Sequence, residues 1–126
     1  MPLEEHELGD AELEVLVQLW DGGSQTVREV MNRLHRRDRP LAYTTVLTVL
    51  TRLEQKGFVV SNRSGPAYVY RARVSRDRIA RSRMRNVISS LFDGAAAPMV
   101  LQLMKNERYT RDELAEMSRL IDQLDS

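Results

Sequence analysis

Three amphipathic helical stretches, two β-rich runs about a Gly-Pro turn, and three further helical stretches predict a mainly α chain with a small β-hairpin wing. The order helix, helix, helix, hairpin across residues 1–73 is that of a winged helix-turn-helix, a DNA-binding arrangement. Residues 74–126 read as a three-helix dimerisation region. A chain of 126 residues suits one small domain with such an appendix, and at 42% hydrophobic it can fold rather than stay disordered.

The first helix is expected to open at Gly9 or Asp10, with Glu12 and Glu14 in the first turn, where the helix dipole favours acids. Leu13, Leu16, Val17 and Trp20 follow at helical spacing and predict its buried face, with Trp20 as a core anchor. Asp21-Gly22-Gly23-Ser24 ends it. Thr26-Val27-Arg28-Glu29 has capping-box spacing and starts the second helix, which buries Val27, Val30, Met31 and Leu34. His35 has no carboxylate or second histidine at ligand spacing and reads as a surface residue. Asp38-Arg39-Pro40 is the break, because proline disfavours helix in the residue before it.

The third helix is predicted over residues 42–56, with Gly57 at its C-terminal cap. Val46, Val49, Leu50 and Leu53 fall on one side of the helical wheel. Thr44, Thr48, Thr51, Arg52 and Gln55 fall on the other, with Thr45 at the edge. Four threonines on an exposed face break the local rule, since Glu, Lys or Ala would make a better helix. Hydroxyls and a guanidinium can bond phosphates and base edges, and a threonine methyl can pack on a thymine methyl. Tyr43, Thr44, Thr45, Thr48 and Arg52 are therefore the candidate DNA contacts, with Arg28 and Arg33 of the second helix on the DNA backbone. The runs Phe58-Val59-Val60-Ser61-Asn62-Arg63 and Tyr68-Val69-Tyr70-Arg71 form the hairpin, which carries Arg63 toward the backbone. Tyr68 and Tyr70 are expected to pack the hairpin.

Ser75-Arg76-Asp77-Arg78 opens a fourth helix whose apolar residues crowd toward its end before Asp93-Gly94. A short apolar helix follows, with Pro98 at its first position. Thr110-Arg111-Asp112-Glu113 is another capping box and starts a final helix with a continuous apolar stripe. Three short helices bury that much apolar surface most economically against a second copy. Ile79, Val87, Ile88, Leu91, Leu101, Leu114, Met117, Leu120, Ile121 and Leu124 are the expected dimerisation residues.

Charge is segregated. Residues 1–27 hold seven acids and no Lys or Arg, residues 28–85 hold fifteen Lys/Arg against four acids, and residues 86–126 hold four against seven. A basic block between acidic flanks points to a located polyanion-binding face, hence to double-stranded DNA. The absence of cysteine excludes a disulfide scaffold, a thiolate metal site and a cysteine nucleophile, and fits a cytoplasmic location. No apolar run is long enough to span a membrane, and the acidic start lacks the order of a secretion signal. Glu113 and Glu116 lie on a solvated face and no nucleophile–base arrangement is visible, so no enzyme, cofactor or metal is expected. Two other readings use the same residues: a winged helix that binds an acidic protein, and a regulator sensing a small ligand at its dimer interface.

The segment from Leu8 to Trp20, the run Thr26-Val27-Arg28-Glu29-Val30 and above all residues 42–57, Ala-Tyr-Thr-Thr-Val-Leu-Thr-Val-Leu-Thr-Arg-Leu-Glu-Gln-Lys-Gly, resemble the penicillinase-repressor family (BlaI/MecI type). The resemblance implies a cytoplasmic, dimeric transcriptional repressor binding an inverted repeat with TACA/TGTA-type half-sites, in control of β-lactamase or related stress genes and so of antibiotic resistance. It also implies release by cleavage through a sensor-linked protease. The family is cut between Asn and Phe in a short apolar helix, and the matching bond here is Gln102-Leu103, which keeps neither residue. Copper-responsive relatives use C-terminal cysteines, which this chain lacks.

Overall fold

The computed structural model describes residues 8–125. The acidic opening (residues 1–7, with His6) and Ser126 lie outside the described residues. The elements are α1 (Asp10–Gly22), β1 (Gln25–Thr26), α2 (Val27–Arg36), α3 (Tyr43–Gln55), β2 (Val59–Asn62), β3 (Val69–Ala72), α4 (Arg76–Leu91), α5 (Ala96–Asn106) and α6 (Arg111–Asp125). The chain divides into two compact units between Met84 and Arg85, inside α4, later than the expected junction at 73/74. The start of α4 belongs to the first unit for a physical reason. Val74 and Ile79 are buried in its core, Trp20 Nε1 donates to the Val74 carbonyl at 2.8 Å, and Arg83 donates to the Leu8 carbonyl at 2.9 Å. Ile79, expected at the dimer interface, is thus a core residue of the first unit.

In that unit α1, α2 and α3 pack on one another and on a three-stranded antiparallel sheet of order β1-β3-β2. The sequence predicts only the hairpin β2–β3. The third strand is two residues long, pairing Gln25 with Tyr70 and Thr26 with Val69. The expected face of α1 is also shifted. Val15, Leu16 and Leu19 are fully buried, whereas Leu13, Val17 and Trp20 are half-buried. α1 packs against α2, α3 and β3 together, so no single stripe marks its buried surface.

The other helices keep their predicted faces. α2 starts in a true capping box: Glu29 N donates to Thr26 Oγ1 at 3.2 Å, and Thr26 N to Glu29 Oε1 at 2.9 Å. α3 buries Val46, Val49, Leu50 and Leu53. It ends in a Schellman motif, with Gly57 at φ 88°, Gly57 N bonded to Glu54 O and Phe58 N to Leu53 O. Phe58 and Leu53, both buried, supply the apolar contact that accompanies this motif. Lys56 Nζ meets the mostly buried Glu12 Oε1 at 2.8 Å, tying the end of α3 to α1. His35 is exposed, but its Nε2 lies 2.8 Å from the Leu41 carbonyl and braces the turn into α3.

The second unit holds the end of α4 with α5 and α6. α5 begins at Ala96, so Pro98 is its third residue, still in the first turn where a missing N–H is tolerated. Thr110 and Glu113 form the expected box before α6, which holds the Glu113 carboxyl below its usual range through the Thr110 backbone and hydroxyl. No described residue of this unit is buried.

Candidate nucleic-acid interface

α3 is held on its inner side by the core and is open on its outer side. Ala42 is its N-cap and offers no side-chain acceptor. The first-turn N–H groups of Tyr43, Thr44 and Thr45 are therefore left for an outside acceptor, and a helix N-terminus favours an anion. The hydroxyls of Thr44 and Thr45 and the guanidinium of Arg52 make no bond with any described residue. All three are exposed. Thr48 and Thr51 differ: Thr48 Oγ1 donates to the Thr44 carbonyl at 2.9 Å and Thr51 Oγ1 to the Leu47 carbonyl at 2.8 Å. Their donors are engaged by their own helix, a geometry that threonine can adopt against the i−4 carbonyl.

The start of α2 and the wing flank this surface. The Arg28 guanidinium lies 5.6 Å from the Tyr43 ring centroid, within cation–π range. Between α2, α3 and the wing runs an open groove of about 470 Å³, lined by Arg28, Tyr43 and Leu47 on one side and Pro66, Ala67 and Tyr68 on the other. Tyr68 precedes β3 and is exposed, unlike the buried Tyr70. It serves as the platform for Arg63, whose guanidinium sits 4.9 Å above its ring. Burial, with the charge of Glu54 adding to it, pushes the Tyr70 phenol up.

Arg63 is held toward α3. Its NH2 donates to Glu54 Oε1 at 3.0 Å and its Nε to Ser61 Oγ at 3.1 Å. Ser61 Oγ in turn donates to Glu54 Oε2 at 2.5 Å. These bonds, that from Ser61 first and then that from Arg63, hold the Glu54 carboxyl below its usual range despite some desolvation. Glu54, a carboxylate on the flank of α3, is not among the residues that the sequence marks, and its spacing of nine residues from Arg63 carries no periodic signal. The same holds for Leu47, 37% exposed and on neither named side of the wheel.

Arg33 is placed elsewhere. Its Nε donates to Gln18 Oε1 at 3.3 Å, and its guanidinium crowds Gly22 beside the buried Gln25, in a separate polar recess that it shares with Asn32 and Arg36. Gln25 Nε2 bonds the carbonyls of Gln18 and Gly23 at 2.8 and 3.0 Å, so this network joins α1 to the start of α2. The structure brings Tyr43, Thr44, Thr45, Thr48 and Arg52 onto one helix and sets Arg28 and Arg63 beside it, but it leaves Arg33 outside the group.

In the second unit Val87, Leu91, Leu101, Leu114, Leu120, Ile121 and Leu124 are exposed and Ile88 and Met117 half-buried. Leu91 and Leu124 reach 74% and 78%. Gln102 and Leu103 are exposed in the middle of α5, and the Leu103 carbonyl accepts from Glu107 N and from the Tyr109 hydroxyl at 2.6 Å. Among the described residues no group of three or more His, Cys, Asp or Glu could hold a metal ion, and no single helix is long and apolar enough to cross a membrane.

The family model described as "Penicillinase repressor" matches residues 8–123. A "Transcriptional regulator BlaI" of Mycobacterium tuberculosis is 35% identical over 120 residues, covering 94% of this chain and 86% of that protein. The solution structure of the DNA binding domain of the repressor BlaI is similar with a TM-score of 0.51 at 28% identity, over 60% of this chain and 90% of that one. A MarR mutant from E. coli complexed with operator DNA shares the fold at a TM-score of 0.52 and 20% identity, over 94% of this chain and 76% of that one.

Proposed function

The chain belongs to the penicillinase-repressor family, and from that premise we propose that it is a cytoplasmic homodimeric repressor that binds an inverted repeat with TACA/TGTA-type half-sites. One observation carries this reading. The outer face of α3 presents Thr44, Thr45 and Arg52 with no partner among the described residues, next to a helix N-terminus with no side-chain cap. α3 enters the major groove. Arg52 and the free threonine hydroxyls contact base edges and phosphates, Arg28 contacts the backbone near the start of α3, and Arg63 contacts it from the wing. The work is binding and needs no catalytic group.

The second unit supports the dimeric part of the reading. Its exposed Leu, Ile and Val side chains form an apolar surface of the kind that a second copy would cover, and a second copy would also supply the second half-site. Release by cleavage of Gln102–Leu103 fits the same layout, since the cut would separate Leu114, Met117, Leu120, Ile121 and Leu124 from the DNA-binding unit. A protease reaching that bond must first unwind α5, so a sensor that loosens this helix is part of the proposal.

Footprinting on the promoter of the chain's own gene tests the reading, and a protected inverted repeat is the expected result. Arg52→Ala is expected to weaken binding to that site by about 1–3 kcal/mol, the worth of a good base contact. An unchanged gel-shift affinity would remove Arg52 from the interface. A basic surface that serves only an acidic protein would give no sequence-specific footprint.

A further inference from the structure

The threonine-rich face of α3 is more apolar than its composition suggests. Thr48 and Thr51 direct their hydroxyl protons to the carbonyls of Thr44 and Leu47, so neither donates outward, and the branch of each side chain not tied to the backbone is a methyl. Both residues are exposed. Beside them stands Leu47, one turn before Thr51 and next to Thr48 in sequence, 37% exposed where Lys or Glu would serve a solvated helix equally well. Its neighbour one turn back is the exposed ring of Tyr43. A leucine and two threonine methyls offer nothing to a base acceptor such as guanine O6 or N7. Among the four bases, only thymine presents an apolar group in the major groove, its C5-methyl.

We propose that α3 selects thymine at one or two positions of each half-site through its C5-methyl, received by Leu47 together with the methyl branches of Thr48 and Thr51. The proposal rests on the reading of α3 as a major-groove helix and adds its mode of discrimination. The hydrogen-bonding part of the readout then falls to Thr44, Thr45 and Arg52, and the apolar part to the next turn.

The test uses the full-length chain and duplexes selected from a random pool by binding. Each thymine of the selected site is replaced singly by deoxyuridine, which deletes only the methyl and keeps the Watson–Crick pair. At one or two positions per half-site the replacement is expected to weaken binding about fourfold, the worth of one buried methylene-sized group. With Leu47→Ala the parent duplex should bind more weakly and the deoxyuridine penalty should fall below about twofold, since the methyl no longer has a receptor. Thr48→Ser and Thr51→Ser remove the methyl, keep the hydroxyl, and should reduce the penalty in the same direction. A selected site whose deoxyuridine duplexes all bind like the parent overturns this inference alone. So does a penalty that survives all three variants. A pool that yields no enriched sequence overturns the DNA-reading role of α3 itself, and this inference with it.

Discussion

Glu54→Gln tests an ion pair that would oppose binding at the proposed interface. In the free protein Arg63 is paired with Glu54, and both share Ser61. To bond a phosphate, Arg63 must give up that carboxylate or bring its negative charge up to the DNA. The pair is partly open to solvent, with side-chain exposures of 58% for Arg63 and 27% for Glu54, so solvent screening keeps its worth to about 0.2–1 kcal/mol. Glutamine keeps the shape and an acceptor for Ser61, and Arg63 keeps its stacking on Tyr68. Releasing Arg63 should therefore tighten operator binding by about 1.4- to 5-fold near 0.1 M salt, a range set by that pair energy at about 1.36 kcal/mol per tenfold. One more cation available to phosphate should also steepen the slope of log K against log salt by up to about 0.9. Fold stability should fall by less than about 1 kcal/mol at neutral pH. Because the folded state holds the Glu54 carboxyl below its usual range, its contribution is fully present above the unfolded pKa and is lost as pH falls through the folded one. The variant should accordingly lose part of the acid-side decline in stability. Fluorescence-anisotropy titrations at several salt concentrations read both binding effects. An unchanged affinity with an unchanged salt slope would mean that Arg63 does not reach the DNA.

Three further outcomes are expected. Gly22→Ala should destabilise the first unit by about 1–3 kcal/mol in urea melts, because a Cβ there would lie 2.5 Å from Gln25 Nε2 and 3.0 Å from the Arg33 guanidinium and would push Gln25 off its two carbonyls. Asp38→Gly should raise the melting temperature slightly, by relief of about 0.5–1 kcal/mol, since Asp38 holds φ 59° at the Schellman turn that ends α2. Leu120→Glu places a charge on the exposed stripe of α6 and should halve the mass seen by light scattering while leaving the helix content of the subunit intact.

What could be read from the sequence was whatever repeats with a helical period or is fixed by a cap. α3 was legible because Val46, Val49, Leu50 and Leu53 recur on one side and Gly57 stops the helix in a backbone conformation glycine adopts freely. The boxes at Thr26 and Thr110 were legible from a three-residue spacing alone. β1 was not, because two residues hold no periodicity and their pairing depends on where β3 arrives. The sequence places Ile79 in the second region because α4 reads as one helix, whereas its first turns are drawn into the first core by neighbours far away in sequence. The candidate contacts on α3 were legible as a face, but the direction of each hydroxyl was not. Nothing in the residue names separates the free Thr44 and Thr45 from the back-bonded Thr48 and Thr51. Nor does any pattern announce the Glu54–Arg63 pair, which exists only because the hairpin folds back onto α3.

The four threonines also bear on how α3 can carry the outer face proposed to read DNA. Relative to alanine they disfavour α3 by roughly 2–3 kcal/mol in total. Burial of Val46, Val49, Leu50 and Leu53 supplies about 1.5–3 kcal/mol for each side chain, several times the deficit. The Schellman turn and the Lys56–Glu12 pair fix the far end of the helix independently of its outer surface. The inner side therefore sets whether α3 exists, and the outer side is free to vary without loss of the helix. It follows that substitutions at Thr44, Thr45 and Arg52 should change which duplexes are bound while leaving the melting temperature nearly constant. Substitutions at Val46 or Leu50 should lower that temperature before they change any preference among duplexes.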